Sequence, residues 1–309
     1  MMENPPIGAD SQQGMAPSPR GLWRLVPKTP VVIIVLAIVM SLAAPWLAPH
    51  DPQATDLSQA LLPPLGFTVE VGSGFSRETI RGTSEHILGT DSIGRDVLSR
   101  LIHGTRYSLI VVVIAMLMGA TLGTVVGLVS GYTGGLTDAV LMRLTDVFFS
   151  FPVILLALLL AVVRGPGFAN VIVAMAFVLW TRFARVIRAE ALAMRGSEFV
   201  AQARVNGASP VRIMLRHLLP NTIPTLTVLI SLQLGWAILI EASLSFLGAG
   251  LPPTVPSWGV MIDGGQRVLR DAWWVATVPG VAIMLLVLAF NMLGDWLRDV
   301  LDPSLSHQL

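Results

Sequence analysis

FVAQARVNGASPVRIMLRHLLPN, residues 199–221, is a polar, cationic island between two long apolar runs. Its punctuation predicts two short helices joined by a tight turn. Ser197 is placed to N-cap the first helix by accepting a backbone N–H, and Glu198 follows at the positive end of that helix. Phe199, Val200 and Ala203 then fall on one helical face. Gly207 suits the position just past the helix, where a left-handed backbone costs a glycine nothing. After Ala208, Ser209 can cap a second helix with Pro210 at its first position, and Pro220 marks that helix's end. An exposed helix–turn–helix leaning on a membrane bundle points to a docking surface for another protein. The plainer alternative is an ordinary amphipathic connecting loop.

The flanking runs set the class. The chain is 53% hydrophobic and 13% charged, against about 25% charged residues in soluble domains, and its mean hydropathy is +0.71. With long uncharged runs, that composition predicts an all-α polytopic membrane protein. A formal net charge of +1 gives no support for a nucleic-acid partner, and the absence of cysteine excludes disulfides, thiolate metal sites and thiol nucleophiles.

Residues 1–30 read as a cytoplasmic tail, rich in Pro, Gly, Ser and Gln up to about residue 20 and closed by Arg20, Arg24 and Lys28. The first apolar run, Val31 to Leu47, is uncharged and long enough to span a bilayer core. A cleaved signal peptide is the alternative, but the run exceeds the usual core length and Pro45 and Pro49 suit cleavage poorly. The preceding cations place the N-terminus in the cytoplasm. Residues 49–104 then form an extracytoplasmic connection, with a small irregular or hairpin element around 66–84. It ends in an amphipathic helix at the membrane surface, carrying Val97, Leu98, Leu101 and Ile102 on one face. Asp91 and Asp96 read as capping and surface ion-pairing groups rather than an acid–base pair, because no nucleophile or metal-ligand set accompanies them.

Five more spans are expected within residues 105–300. The second, about Ser108 to Ser130, carries Gly119, Gly123 and Gly127 at four-residue spacing, a stripe that lets another helix approach closely. The third, about Leu141 to Val163, is expected to kink at Pro152, with Arg143 and Asp146 forming an interfacial ion pair. The fourth, about Phe168 to Val186, ends in the stripe Arg182, Arg185 and Arg188, a positive-inside anchor. Between Arg182 and Asn221 stand seven arginines against Glu190 and Glu198, so charge bias and span parity both place this island in the cytoplasm. The fifth span, about Ile223 to Phe246, holds Glu241, which should face the bundle interior or the interface; a functional role or simple snorkelling are its two readings. An external loop follows, with a surface helix from about Ser257 and with Trp258, Trp273 and Trp274 in the aromatic belt. The sixth span, about Val275 to Leu293, returns the chain to a cytoplasmic tail at 301–309.

The 199–221 stretch resembles the coupling loop of ABC-importer permeases, whose pattern runs EAA, three residues, Gly, nine residues, Ile-x-Leu-Pro. Gly207, Leu219 and Pro220 match in register and Ala203 matches the third motif position, while Ala201, Gln202 and His217 depart with the spacing intact. LAPHDP, LGTDSIGRDVLSRLIHGTRYSL, SGYTGG, MRLTDVFFSFP, SLSFLGAGLPPTVPSWGVM and LAFNMLGDWLRDVLDPSL, in that order, are similar to the second permease subunit of dipeptide and oligopeptide ABC importers. That subfamily also carries nickel chelates, glutathione and opine-like compounds. The resemblance implies six transmembrane helices, a heterodimeric pore made with a second homologous permease, two cytoplasmic ABC ATPase subunits docked around 197–209, an extracytoplasmic solute-binding protein, and residence in the bacterial inner membrane. It implies that Ser197, Glu198, Phe199, Val200, Ala201, Gln202, Ala203, Gly207, Ala208, Ser209, Leu219 and Pro220 form the coupling surface. The sequence contains no GxxxxGK[ST] phosphate loop, so ATP hydrolysis is assigned to partners, and no cofactor or metal is called for. A stand-alone secondary transporter or channel would favour internal repeats and several polar mid-span groups, neither of which stands out. An intramembrane enzyme lacks a catalytic set within the spans.

Overall fold

The computed structural model describes residues 26–71 and 78–301. Arg20, Arg24, the tip of the 66–84 element and the C-terminal tail lie outside the described residues. The helices are α1 (Lys28–Leu47), α2 (Val97–Thr133), α3 (Gly135–Ser150), α4 (Val153–Arg164), α5 (Phe168–Met194), α6 (Glu198–Val205), α7 (Pro210–Ile213), α8 (Leu219–Phe246), α9 (Trp258–Gln266) and α10 (Trp274–Leu301). Five helical segments are long and apolar enough to cross a membrane, or six if the bent pair α3–α4 counts as one span.

α2 is the axis of the bundle. Its 37 residues run without a break, about 55 Å at 1.5 Å per residue, which exceeds a hydrocarbon core of about 30 Å. The expected surface helix and second span are therefore one rod, and Arg100 is buried rather than lying on a headgroup surface. α2 packs on α5 through a ladder of glycines. A Cβ added to Gly119 would lie 2.7 Å from Leu179 Cβ, one at Gly127 would meet Ala184 O at 2.7 Å, and one at Gly123 would strike the Trp180 carbonyl. The stripe seen in the sequence continues one step further, to Gly131 against Ala191. With no hydrophobic drive between helices in lipid, such close approach is what favours association.

The third span is not kinked but broken. Phe151 is extended (φ −77°, ψ 123°) because a residue before proline is steered out of the helical region. Pro152 lacks the N–H that would carry the ladder on. The two halves, α3 and α4, meet at 73°. α1 lies on the outside of the bundle, packing on α2 and α10 and leaving the apolar Val32, Leu36 and Leu42 exposed.

The connection from α1 to α2 folds as a cap over one end of the bundle. β1 (Thr68–Val71) pairs antiparallel with β2 (Glu78–Arg81), Val69 opposite Ile80, which gives the hairpin that the sequence left open. Asp96 caps α2, accepting the Ser99 N–H at 2.7 Å. Asp91 accepts the Arg95 guanidinium at 2.6 Å and lies 3.7 Å from Arg100. Asp96 thus caps and Asp91 pairs with arginine, but both are buried beneath the cap, not on the surface. Exposed Asp56 accepts the Ser58 hydroxyl and amide, which hold its carboxyl below the usual carboxylate range. Of the three tryptophans expected in an aromatic belt, Trp273 alone is exposed. Trp258 and Trp274 are buried, and their indole N–H groups donate to Leu101 O and Thr90 O at 3.1 Å each, tying the α8–α10 connection to α2 and the start of α10 to the cap.

Candidate functional site

At the other end of α2 the chain builds a helix–turn–helix with its own small core. Val200 and Ala203 from α6, Ile213 from α7 and Leu218 pack on Leu128 and Tyr132 of α2 and on Ile187 and Ala191 of α5. The Gly207 turn is a Schellman motif: the Ala208 N–H donates to Ala203 O and the Gly207 N–H to Arg204 O, both at 3.0 Å. This closure needs a left-handed residue, and Gly207 supplies it at φ +76°. Ser209 caps α7 through the Arg212 N–H at 3.3 Å, with Pro210 in the first turn, as the spacing predicts.

Three details differ from the sequence reading. The Ser197 hydroxyl does not cap α6; it donates to Met194 O at 2.6 Å, satisfying a carbonyl in the last turn of α5 and tying α6 to it. Phe199 does not join Val200 and Ala203 in the small core but is 40% exposed. Pro220 does not end the second helix. It stands in the first turn of α8, just after a wide π-type turn, Met214–Leu218, so the chain runs on from α7 into the span.

The outward face of this element is apolar at its ends and polar between. Val205 is 88% exposed and Val211 59%; with Phe199 they flank exposed Ala201, Gln202, Arg204 and Ser209. Glu198 is exposed at the start of α6, Ala208 is half-buried under the turn, and Leu219 is half-buried where α8 begins. Arg204 reaches back over the Tyr132 ring, 5.2 Å from its centroid. The element is therefore rigidly seated on α2 and α5 while presenting a surface that no described residue covers.

The arginine stripe leading into the site makes specific cross-helix ties. Arg182 donates to Gln233 Oε1 at 2.8 Å and lies over Trp236, 4.0 Å from the ring centroid. Arg185 takes Asp146 at 2.8 Å, so the expected Arg143–Asp146 pair does not form. Arg188 grips Asp138. The three cations thus fasten α5 to α8 and α3, which a same-helix spacing rule cannot reveal.

Glu241 is fully buried, inside the bundle as expected. Ser245 Oγ donates to Glu241 Oε1 at 3.0 Å, Ser108 of α2 faces the same carboxyl, and Oε2 has no hydrogen-bond partner among the described residues.

The architecture is that of a polytopic membrane protein, a bundle of long apolar helices with a rigidly mounted helix–turn–helix at one end. Residues 123–307 match the family of binding-protein-dependent transport system inner membrane components, and residues 31–64 match the N-terminal transmembrane domain of oligopeptide transport permease C. The chain belongs to the binding-protein-dependent ABC importer permeases. It is 39% identical over 279 residues to the glutathione transport system permease protein GsiD of Escherichia coli, covering 90% of this chain and 86% of that one. It is 37% identical over 282 residues to a Brucella abortus protein named as a peptide transport system permease, covering 90% and 88%. An inward-facing structure of the MetNI methionine ABC transporter matches with a TM-score of 0.54 at 22% identity, over 65% of this chain and 96% of that one. As a permease the chain is a non-enzymatic membrane subunit.

Proposed function

We propose that this chain forms half of the pore of an ATP-driven importer for di- or oligopeptides or similar small solutes such as glutathione. Its partners are a second homologous permease, two cytoplasmic ABC ATPases and an extracytoplasmic solute-binding protein. Both termini and residues 197–221 lie on the cytoplasmic side of the bacterial inner membrane, and residues 49–104 on the outer side. The peptide and glutathione transport for which the Brucella and GsiD relatives are named supports the substrate class. The cation-rich stretch from Arg182 to Arg216 supports the orientation.

The observation that carries the coupling role is the seating of α6. Its inner face is locked to the ends of α2 and α5, and Phe199, Gln202, Val205, Gly207 and Ser209 are open to a partner. Because the glycine ladder holds α2 against α5, a push on α6 moves the two as one body. ATP shifts the pore between inward and outward access only if the ATPases grip α6 differently in the two states.

Affinity purification in mild detergent from native membranes, with mass spectrometry of co-eluting proteins, tests the assembly. The expected result is a second permease and two P-loop ATPases. Recovery of this chain alone, under conditions that preserve a known ABC complex, contradicts it.

A further inference from the structure

The end of the bundle opposite α6 holds a cluster that the transport reading leaves unused. His50 follows α1, His86 stands in the cap, and Asp96 caps α2; one ligand atom from each lies within 4.8 Å of the others. His86 Nδ1 is 2.9 Å from Asp96 Oδ1, His50 Nδ1 is 3.9 Å from Asp96 Oδ2, and the two imidazole centroids are 4.8 Å apart. The sequence reading found no ligand set around Asp96, because the two histidines come from positions 46 and 10 residues away, joined only by the fold of the cap.

His86 Nε2 faces Gln59 Oε1 at 2.6 Å. An amide oxygen accepting from Nε2–H leaves Nδ1 of the neutral imidazole as the lone-pair donor beside the Asp96 carboxylate, the tautomer that metal ligation requires. His50 Nδ1 is buried with no hydrogen-bond partner among the described residues, while the His50 backbone N–H is held by Ser99 Oγ at 3.0 Å. Two ring nitrogens and a carboxylate thus converge on one small volume.

We propose that His50, His86 and Asp96 bind a divalent transition-metal ion of the zinc type, with water in a fourth position. Two imidazoles and a carboxylate form a familiar zinc donor set, and bonds of about 2.0–2.1 Å place tetrahedral ligand atoms about 3.3 Å apart. The His–Asp96 separations, 2.9 Å to Oδ1 and 3.9 Å to Oδ2, bracket that value, and the three ligand atoms all lie within 4.8 Å of one another. Gln59 on His86 and the Ser99 amide on Asp96 are the outer partners that orient such ligands. The His50 side chain is about a third exposed, 32%, which gives the ion a way in. The ion clamps the end of α1, the cap and the start of α2 together.

The test uses the full chain, purified in detergent without a polyhistidine tag and stripped with a chelator. Titration with Co²⁺ is expected to give the visible ligand-field band of a four-coordinate nitrogen–oxygen site, saturating at one equivalent and bleached by Zn²⁺. Asp96→Asn keeps the helix cap while removing the charged ligand, and His50→Ala alters the most exposed one; each is expected to weaken binding about tenfold or more. Zn²⁺ is expected to raise the Tm of the stripped wild-type chain but not that of Asp96→Asn. A wild-type chain that shows no such band, or variants that bind Co²⁺ as tightly as wild type, overturns the proposal.

Discussion

Arg188 on α5 holds Asp138 on α3 with both edges of its guanidinium, Nε to Oδ1 at 2.5 Å and NH2 to Oδ2 at 2.6 Å, and the Ser130 hydroxyl of α2 donates to the same carboxylate. One side chain thus joins three helices next to the small core that seats α6. A forked pair of this kind is not reproduced by lysine, which offers a point charge.

Arg188→Lys is therefore expected to lower stability by about 1–2 kcal/mol, a discounted figure because the pair is partly solvated. Thermal unfolding of the detergent-solubilised chain measures it. An unchanged Tm would mean that the forked geometry contributes nothing.

Gly123 sits inside the bundle on α2 and Gly196 in the turn between α5 and α6, and only the first is crowded. A Cβ at Gly123 runs into the α5 backbone, whereas one at Gly196 has nothing within 4 Å. Gly123→Ala is expected to destabilise by about 1–3 kcal/mol, the range for overpacking, and Gly196→Ala to be neutral. Equal Tm values for the two variants would contradict the close α2–α5 contact.

At Gly207 the space is open and only the backbone resists: nothing lies within 4 Å of an added Cβ, and φ is +76°. Gly207→Val is expected to cost about 1–2 kcal/mol of local strain and to depress substrate-stimulated ATPase activity in the reconstituted complex. Gly207→Asn, which tolerates a left-handed backbone, should retain most of it. Identical loss in both variants would point to a contact at this position rather than to the turn.

Glu241 is buried with one carboxyl oxygen bonded to Ser245 and the other without a partner among the described residues. Glu241→Gln keeps an acceptor for Ser245 and removes the charge, so folding stability is expected to hold or rise, since a charge in the bilayer costs about 2.5–3.5 kcal/mol on insertion scales. A clear fall in Tm would mean that the charged form is needed for packing.

The spans were legible because uncharged runs, glycine spacing and proline positions are local signals. Gly207 and Ser209 were legible for the same reason: a turn and a cap are set by adjacent residues. What sequence spacing could not supply were the partners. Arg143 sits three residues from Asp146, yet Arg185 claims that carboxylate from another helix. Trp258 and Trp274 carry the composition of an interfacial belt, yet each is drawn inward by a carbonyl on α2 or the cap. Likewise, His50 and His86 meet Asp96 only once the cap closes over α2.

The central claim is that α6 and its turn are the surface gripped by the ATPases. The chain contains no cysteine, so Gln202→Cys places a single thiol on that surface, and Trp273→Cys, also exposed, places one at the opposite end of the bundle. Thiol-specific crosslinking in the liposome-reconstituted complex, with and without ATP, reads the contact. The account predicts an adduct between Gln202→Cys and an ATPase subunit whose yield changes with ATP, and none from Trp273→Cys. Absence of the Gln202→Cys adduct in a complex that still hydrolyses ATP, or an equal adduct from Trp273→Cys, would contradict it.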